Sequence, residues 1–199
     1  MTIVFPWNES VESYVDLGEN VGYARPAFCP ACEHTKLIFW GKRSRFVFDG
    51  KKSFTLFVRR MRCNGCGAVH TILPSFLLKR RVHLASLIVS ALVFVFIDQA
   101  GSRLVADRLG IARSTIRRWI HKFKQSAGYH YRRFLFLKHN LVPQAPPLSA
   151  GEIPRAVLDL CREVFLIQAG EKASGATFAD WISLATGGCL LHHQPISAP

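Results

Sequence analysis

Carboxylates are scarce in this chain where bases are dense, a shortage best seen by position. Asp and Glu number 13 against 26 Lys and Arg, for a formal net charge of +13. Residues 25–82 hold two acids against 13 bases, and residues 83–139 hold two against 10. Residues 1–24, by contrast, hold four acids and no Lys or Arg. A middle block so short of negative charge attracts polyanions, of which nucleic acid is the commonest inside a cell. After residue 140 the carboxylates are Glu152, Asp159, Glu163, Glu171 and Asp180. A metal-dependent strand-transfer centre needs several carboxylates converging on two Mg²⁺ from a sizeable sheet. Too little chain remains there to build one, so no enzyme activity is expected.

Long hydrophobic runs are also lacking. The longest, Leu84 to Ile97 (LASLIVSALVFVFI), has 14 residues. As a helix it would span about 21 Å, short of the roughly 30 Å hydrocarbon core of a bilayer. It is expected to be a buried support helix, and a membrane partner is not expected. The start, MTIVFPWNESVES, lacks the basic residues and apolar core of a signal peptide, so a reducing cytoplasm is the expected compartment. No internal repeat is evident.

Four of the six cysteines fall in two Cys-x-x-Cys pairs, Cys29-Pro-Ala-Cys32 and Cys63-Asn-Gly-Cys66. Two such turns on adjacent hairpins can place four thiolates at the corners of a tetrahedron around one Zn²⁺. A redox dithiol would need one pair at a helix start within a βαβ pattern, and neither pair has that setting. Between the pairs, Leu37–Trp40, Arg45–Phe48 and Ser53–Arg62 read as strands with Asp49-Gly50 as a hairpin turn, and Val69–Leu73 follows as another. This is the pattern of a small antiparallel zinc ribbon, too small to fold on its apolar core alone. The cofactor expected is Zn²⁺ on Cys29, Cys32, Cys63 and Cys66. His34 and His70 lie near the pairs and are expected beside the site or at the surface. Cys161 and Cys189 are isolated and read as small buried residues.

The second constellation is Ser102 to His121, SRLVADRLGIARSTIRRWIH. Apolar residues fall at Leu104, Val105, Leu109, Ile111, Ile116, Trp119 and Ile120, with Ala106 where two helices must cross closely. Gly110 can take positive φ, ending one helix and turning the chain into the next. Ala106, Gly110, Ile116 and Trp119 stand at the spacing of a helix-turn-helix, with Val105, Leu109 and Ile111 completing the packing. The second helix then presents Arg113, Ser114, Thr115, Arg117, Arg118 and His121 outward, a face suited to a major groove and its flanking phosphates. Ala112 stands where a capping Ser, Thr or Asp is preferred, which puts the helix start on Arg113 or Ser114.

The fold expected is α+β, a small antiparallel zinc ribbon followed by an all-α helix-turn-helix domain and a helical tail. Its divisions are an acidic arm over 1–24, the ribbon over 25–78, the helix-turn-helix domain over 79–140, a Pro-rich linker over 141–152 and the tail over 153–199. In the arm, a short strand and one helical turn are expected. Within Phe123 to His139, aromatics alternate with bases, and the rings are expected to pack inward. Ile153, Val157, Leu160, Cys161, Val164, Phe165 and Gln168 mark an amphipathic helix with Pro154 in its first turn, and Ala176–Leu184 reads as another. His192-His193 reads as ordinary tail.

The order CPAC … FVRRMRCNGCGAVHTILPSFLLKRR … STIRRW resembles an uncharacterised bacterial family of short zinc-ribbon plus helix-turn-helix proteins associated with mobile elements. It is also similar in layout to the N-terminal region of insertion-sequence transposases. The likeness covers roughly residues 25–140, with Arg59 to Phe76 as its specific part. Glu33, where a Gly is usual after the first pair, and the apolar run over 84–97 depart from it. The resemblance implies DNA binding in transposition or recombination, with a transposase or recombinase as a candidate partner. The expectation is a non-enzymatic, sequence-specific DNA-binding protein with double-stranded DNA as partner and no small-molecule substrate. A remnant or accessory fragment of a transposase is one alternative. The other is a ribbon that binds RNA or a polymerase through Lys42–Arg45 and Lys51–Lys52.

Overall fold

A computed structural model of the chain describes residues 1–23, 25–142, 152–171 and 177–192. Along the chain run β1 (Thr2–Phe5), α1 (Val11–Leu17), β2 (Leu37–Phe48), β3 (Ser53–Cys63) and β4 (Val69–Pro74). Then come α2 (Ala85–Phe96), α3 (Ser102–Leu109), α4 (Arg113–Leu141), α5 (Ile153–Glu171) and α6 (Phe178–Ala185). The fold is α+β, as the hydrophobic periodicities imply.

The sheet corrects the expectation of an antiparallel one. Its four strands run in the order β1-β4-β3-β2, and β1 lies parallel to β4, with Thr2 beside Thr71 and Ile3 beside Ile72. β3 occupies one edge of β4, and the β-branched stretch at the N-terminus takes the other, with a long enough connection to arrive in either direction. Residues 1–23 continue onto the sheet. The Trp7 backbone N–H donates to Ser75 Oγ at 3.0 Å, and the Tyr14 hydroxyl donates to the Phe57 carbonyl at 3.0 Å. Ser10 caps α1 by accepting from the Ser13 N–H.

The stretches Leu37–Trp40 and Arg45–Phe48 join into the single strand β2. Its pairing with β3 shifts between Phe39 and Lys42, the signature of a bulge at Trp40-Gly41. Alternation then splits the buried residues between two faces of the sheet. Leu56, Val58 and Leu73 join Trp7, Tyr14 and Phe76 in one cluster, while Met61, Cys63 and Ile72 join Cys29 and Leu37 in a second.

The helices share one larger core. α2 contributes Ile88, Leu92 and Phe96, and α4 contributes Ile116, Trp119, Phe123 and Phe134. α5 adds Val157, Leu160, Cys161 and Val164, and α6 adds Ile182. The apolar run over 84–97 is thus explained by neighbours on several sides of α2. Among the described residues no helix is long and apolar enough to cross a membrane. α4 runs unbroken through the aromatic stretch after residue 122. It buries Phe123 and Phe134 but leaves Phe136 66% exposed, so the inward packing expected of those rings is incomplete.

Residues 177–192 close onto the body. Ser183 Oγ donates to the Leu77 carbonyl at 2.7 Å, the Lys79 N–H to the Gly188 carbonyl at 2.8 Å, and Ser126 Oγ to the Leu190 carbonyl at 2.9 Å. Cys161 and Cys189 are both buried. Most of the Pro-rich stretch, Ala176 and His193 fall outside the described residues. Sheet and helices meet at the hairpin tip. The Phe48 N–H donates to the Val82 carbonyl at 2.7 Å, and the His83 ring stands edge-on between Phe48 and Trp119, 4.9 Å from the latter.

Candidate metal centre and basic helix face

The two Cys-x-x-Cys turns are built alike although one follows an irregular segment and the other a strand. In the first, the Cys29 N–H donates to the His34 carbonyl and the Glu33 N–H to the Cys29 carbonyl, at 2.9 and 2.8 Å. In the second, the Cys63 N–H donates to the Ala68 carbonyl and the Gly67 N–H to the Cys63 carbonyl, at 2.9 and 3.0 Å. Both turns need a left-handed residue at the same place. Gly67 takes it with φ 72°, and Glu33 takes it with φ 59°. A Cβ in that region crowds the following carbonyl oxygen, so Glu33 sits where Gly is favoured.

The four sulfurs converge. Cys29 Sγ lies 3.8 Å from Cys66 Sγ, Cys32 Sγ lies 3.6 Å from Cys63 Sγ, and all four fall within 4.8 Å of one another. They can hold one metal ion. The turns aim N–H groups at the sulfurs, Ala31 at Cys29 and Gly65 at Cys63, at 3.4 and 3.3 Å. At Cys63 the backbone N–H groups of Cys66 and Gly65 bring the thiol down to about 7, favouring the thiolate a metal requires. At Cys32 a backbone bond from His34 also lowers the thiol. The crowded neighbours Cys66, Cys63 and Cys29 outweigh it, leaving the thiol at about 12. A bound dication would offset that crowding, because it stabilises every thiolate at once.

His70, expected beside the site or at the surface, lies beside the site. It is fully buried, with Nε2 3.2 Å from Cys29 Sγ. Burial lowers its basicity, so a neutral ring can donate its Nε2–H to the sulfur. Pairing of His70 with Met61 across β3 and β4 puts it there, a register that local sequence does not reveal. His34 stays exposed, its side chain so close to Gly65 that a Cβ there would meet it at 2.9 Å.

At the other constellation, Gly110 takes φ 64° as the C-cap of α3, and its N–H donates to the Ala106 carbonyl. α4 begins at Arg113, after an Ala112 that supplies no side-chain cap. Val105, Ala106, Ile111, Ile116 and Trp119 are buried between α3, α4 and α2. Leu104 departs from the apolar pattern at 62% exposed, because it lies on the outer side of α3. Arg113, Ser114, Arg117, Arg118 and His121 are exposed and Thr115 is half-buried. Arg113 Nε donates to Ser102 Oγ at 3.4 Å, and none of the three arginines meets a carboxylate among the described residues.

The chain is therefore an α+β protein with a four-cysteine cluster at one end and, at the other, a basic helix face whose arginines meet no carboxylate among the described residues. A family model described as a domain of unknown function (DUF6431) matches residues 29–119. That match runs from the first cysteine of the cluster to the buried tryptophan of α4. No curated protein and no solved structure matches the chain.

Proposed function

We propose that the protein is a non-enzymatic, sequence-specific DNA-binding protein whose cysteine cluster holds a structural Zn²⁺. The observation that carries the DNA reading is the outer face of α4. Arg113, Arg117 and His121 share one side at i, i+4 spacing, with Ser114 and Arg118 beside them. Ile116 and Trp119 anchor the opposite side in the core, and α3 packs across it as the first helix of a helix-turn-helix. With no capping side chain, the first N–H groups of α4 stay open to a phosphate. In this reading Arg113 and Arg117 meet guanine O6 and N7 in the bidentate manner, and Arg118 meets phosphate.

For zinc, a tetrahedron with metal–sulfur bonds of about 2.3 Å has sulfur–sulfur edges of about 3.8 Å. The separations of 3.8 and 3.6 Å fit that ion, and four thiolates leave no open position for catalysis. The resemblance of the CPAC … RCNGCG … STIRRW order supports a setting in the cytoplasm, in transposition, recombination or regulation of a mobile element, with a transposase or recombinase as partner.

The test is selection of duplexes from a random pool, followed by titration of wild type and single variants. Arg113→Ala and Arg117→Ala should each lose about 1–3 kcal/mol on the selected site and relax base preference, while Arg118→Ala weakens all sequences alike. If no sequence is enriched, or these variants bind as wild type does, the face is ordinary surface. A second reading, a ribbon that docks RNA or a polymerase, is favoured by the exposed Phe39, Trp40 and Phe46 on the edge strand β2. Retained DNA selection in a Phe39→Ala/Trp40→Ala variant would set that reading apart from the first.

A further inference from the structure

The basic residues of this chain are not all left without partners. The acidic N-terminal segment meets the hairpin on one side, with Glu19 against Lys42 and Glu12 against Lys52. The remaining described ion pairs involve Lys124, Lys138 and Arg155 on the helices. One cationic region is passed over by all of them. It is a groove of about 620 Å³ between the sheet face bearing Val58, Val69 and Thr71 and the segment Lys79–Val82. Arg43, Arg45, Lys79, Arg80 and Arg81 line it, and among the described residues no carboxylate does.

The groove is built rather than incidental. Arg43 and Arg45 sit opposite Val58 and Leu56 in the β2–β3 register, so they share a face with buried apolar residues. Arg45 Nη2 donates to the carbonyls of Leu78 and Arg81, at 2.5 and 2.6 Å, which fixes the 79–81 segment against the sheet. Burial and then the neighbouring Arg43 bring Arg45 down to about 10. Arg80 holds φ 58°, a left-handed backbone that a side chain adopts at a cost. Arg81 Nε is buried with no partner among the described residues, while its Nη2 lies 3.1 Å from His192 Nε2. Mutually repelling cations held together without an acid cost free energy that an anion would offset.

The groove also leads somewhere. Burial and then the charge of Arg118 lower the Arg81 guanidinium, so Arg118 of α4 stands within its field. His192 feels Arg81, Lys122, Arg80 and Lys79 together, after its burial. Lys122 is one turn beyond Arg118 on the same side of α4. The cations of the groove, Arg43, Lys79, Arg80 and Arg81, thus share an electrostatic field with Arg118 and Lys122 on the flank of α4.

We infer that this groove is a phosphodiester-binding channel, which takes the backbone of duplex DNA beyond the bases met by α4. The inference deepens the DNA-binding reading and rests on it for the identity of the polyanion. Its interactions are with phosphates, so it adds affinity and fixes orientation without adding base preference.

The test uses the full, metal-loaded chain and a random-sequence duplex, which reports backbone binding alone. Wild type is compared with Arg43→Gln/Lys79→Gln/Arg80→Gln and with Lys52→Gln, whose charge lies outside the groove. Affinity is measured across salt concentrations. Each phosphate that the protein ceases to neutralise lowers the slope of log K against log salt by about 0.9, so the triple variant should lose about 2–3 from the slope and Lys52→Gln almost nothing. An unaltered thermal midpoint confirms that the variant is folded. Should the midpoint fall, Lys79→Gln/Arg80→Gln, with Arg80→Lys as the charge-preserving control, gives the same reading from two residues. An unchanged slope, or an equal drop in Lys52→Gln, overturns the channel, as does tighter binding of single-stranded RNA of equal length. The two readings fail separately. A random pool that yields no preferred site, alongside a lowered slope in the triple variant, sinks base reading and keeps the channel. Loss of preference in Arg113→Ala with an unchanged triple variant does the reverse.

Discussion

The two ends of this molecule are held by different physics. Around the cysteines, the buried cluster consists of Cys29, Leu37, Met61, Cys63 and Ile72, two of them candidate ligands themselves. Around α4, Trp119, Phe123 and Phe134 sit among side chains from α2, α3, α5 and α6. Apolar burial contributes roughly 1.5–3 kcal/mol per large side chain, so the helical end has ample means to stay folded and the cysteine end has little. The difference teaches where a bound ion matters. At the cysteine end an ion held by the four sulfurs would stand in for a core, and at the helical end it would matter only through the sheet.

Removing the ion is the hardest blow to that contrast. Cys63→Ser, or a strong chelator, should strip the metal and open the Cys-x-x-Cys turns with the adjoining ends of β2, β3 and β4. In small metal-held modules the folding free energy tied to the ion is on the order of 10 kcal/mol at neutral pH. Hydrogen exchange should lose protection around Leu37–Phe39, Met61–Cys63 and Val69–Ile72, while α2 and the first half of α4 keep theirs. Metal analysis should fall to background at the same time. Uniform loss across the chain, or none, would erase the contrast.

Trp119→Ala is the converse experiment. The ring is 2% exposed and touches His83, so truncation leaves a cavity where sheet and helices join. A loss of about 3–5 kcal/mol in denaturant unfolding is expected, with metal content unchanged. Metal loss in this variant would show that the two ends are one cooperative unit.

Gly110→Ala sharpens the same end by a smaller step. A Cβ there would meet the Gly50 carbonyl oxygen at 3.4 Å, and the backbone stays at φ 64°. The expected loss is about 1–2 kcal/mol, read from the unfolding midpoint. A neutral result would mean that α3 and α4 can join through another turn.

The smallest effect separates the two cysteine turns from each other. Glu33→Gly relieves the left-handed strain but adds chain entropy, for a net gain below about 1 kcal/mol. Gly67→Glu at the matching position should instead cost about 1–2 kcal/mol. Responses of opposite sign in metal-loaded protein support the equivalence of the turns. A sizeable loss in Glu33→Gly would show that its carboxylate has a task the hydrogen-bond pattern does not reveal.

Local spacing was enough for part of the fold and of the candidate site. The cysteine pairs, the Asp49-Gly50 hairpin, the turn at Gly110 and the polar side of α4 all depend on residues within a few positions of one another. The uncapped Ala112 read correctly as a helix beginning at Arg113. Leu104, apolar but outside the residues expected to hold the two helices together, is exposed, since one apolar residue in a short amphipathic helix carries no information about which neighbours cover it. The break expected between Trp40 and Arg45 vanished because a bulge lets one strand continue past Gly41.

What the sequence by itself determined is the chemistry of each constellation: four cysteines in paired turns, a basic helix face backed by Ile116 and Trp119, and a middle block short of acids. Only the tertiary structure decided which of these groups meet. The place of β1 beside β4, the approach of His70 to Cys29, and the gathering of Arg43, Arg45, Lys79 and Arg81 around one groove all link positions far apart in the chain. Such meetings depend on register and on which surfaces are left over once the core has closed. The ion pairs of the hairpin follow the same logic, since the segment around α1 brings Glu12 and Glu19 to one side and leaves the groove its uncompensated charge. Composition records how many charges of each sign the chain carries, whereas folding sets which of them find a partner.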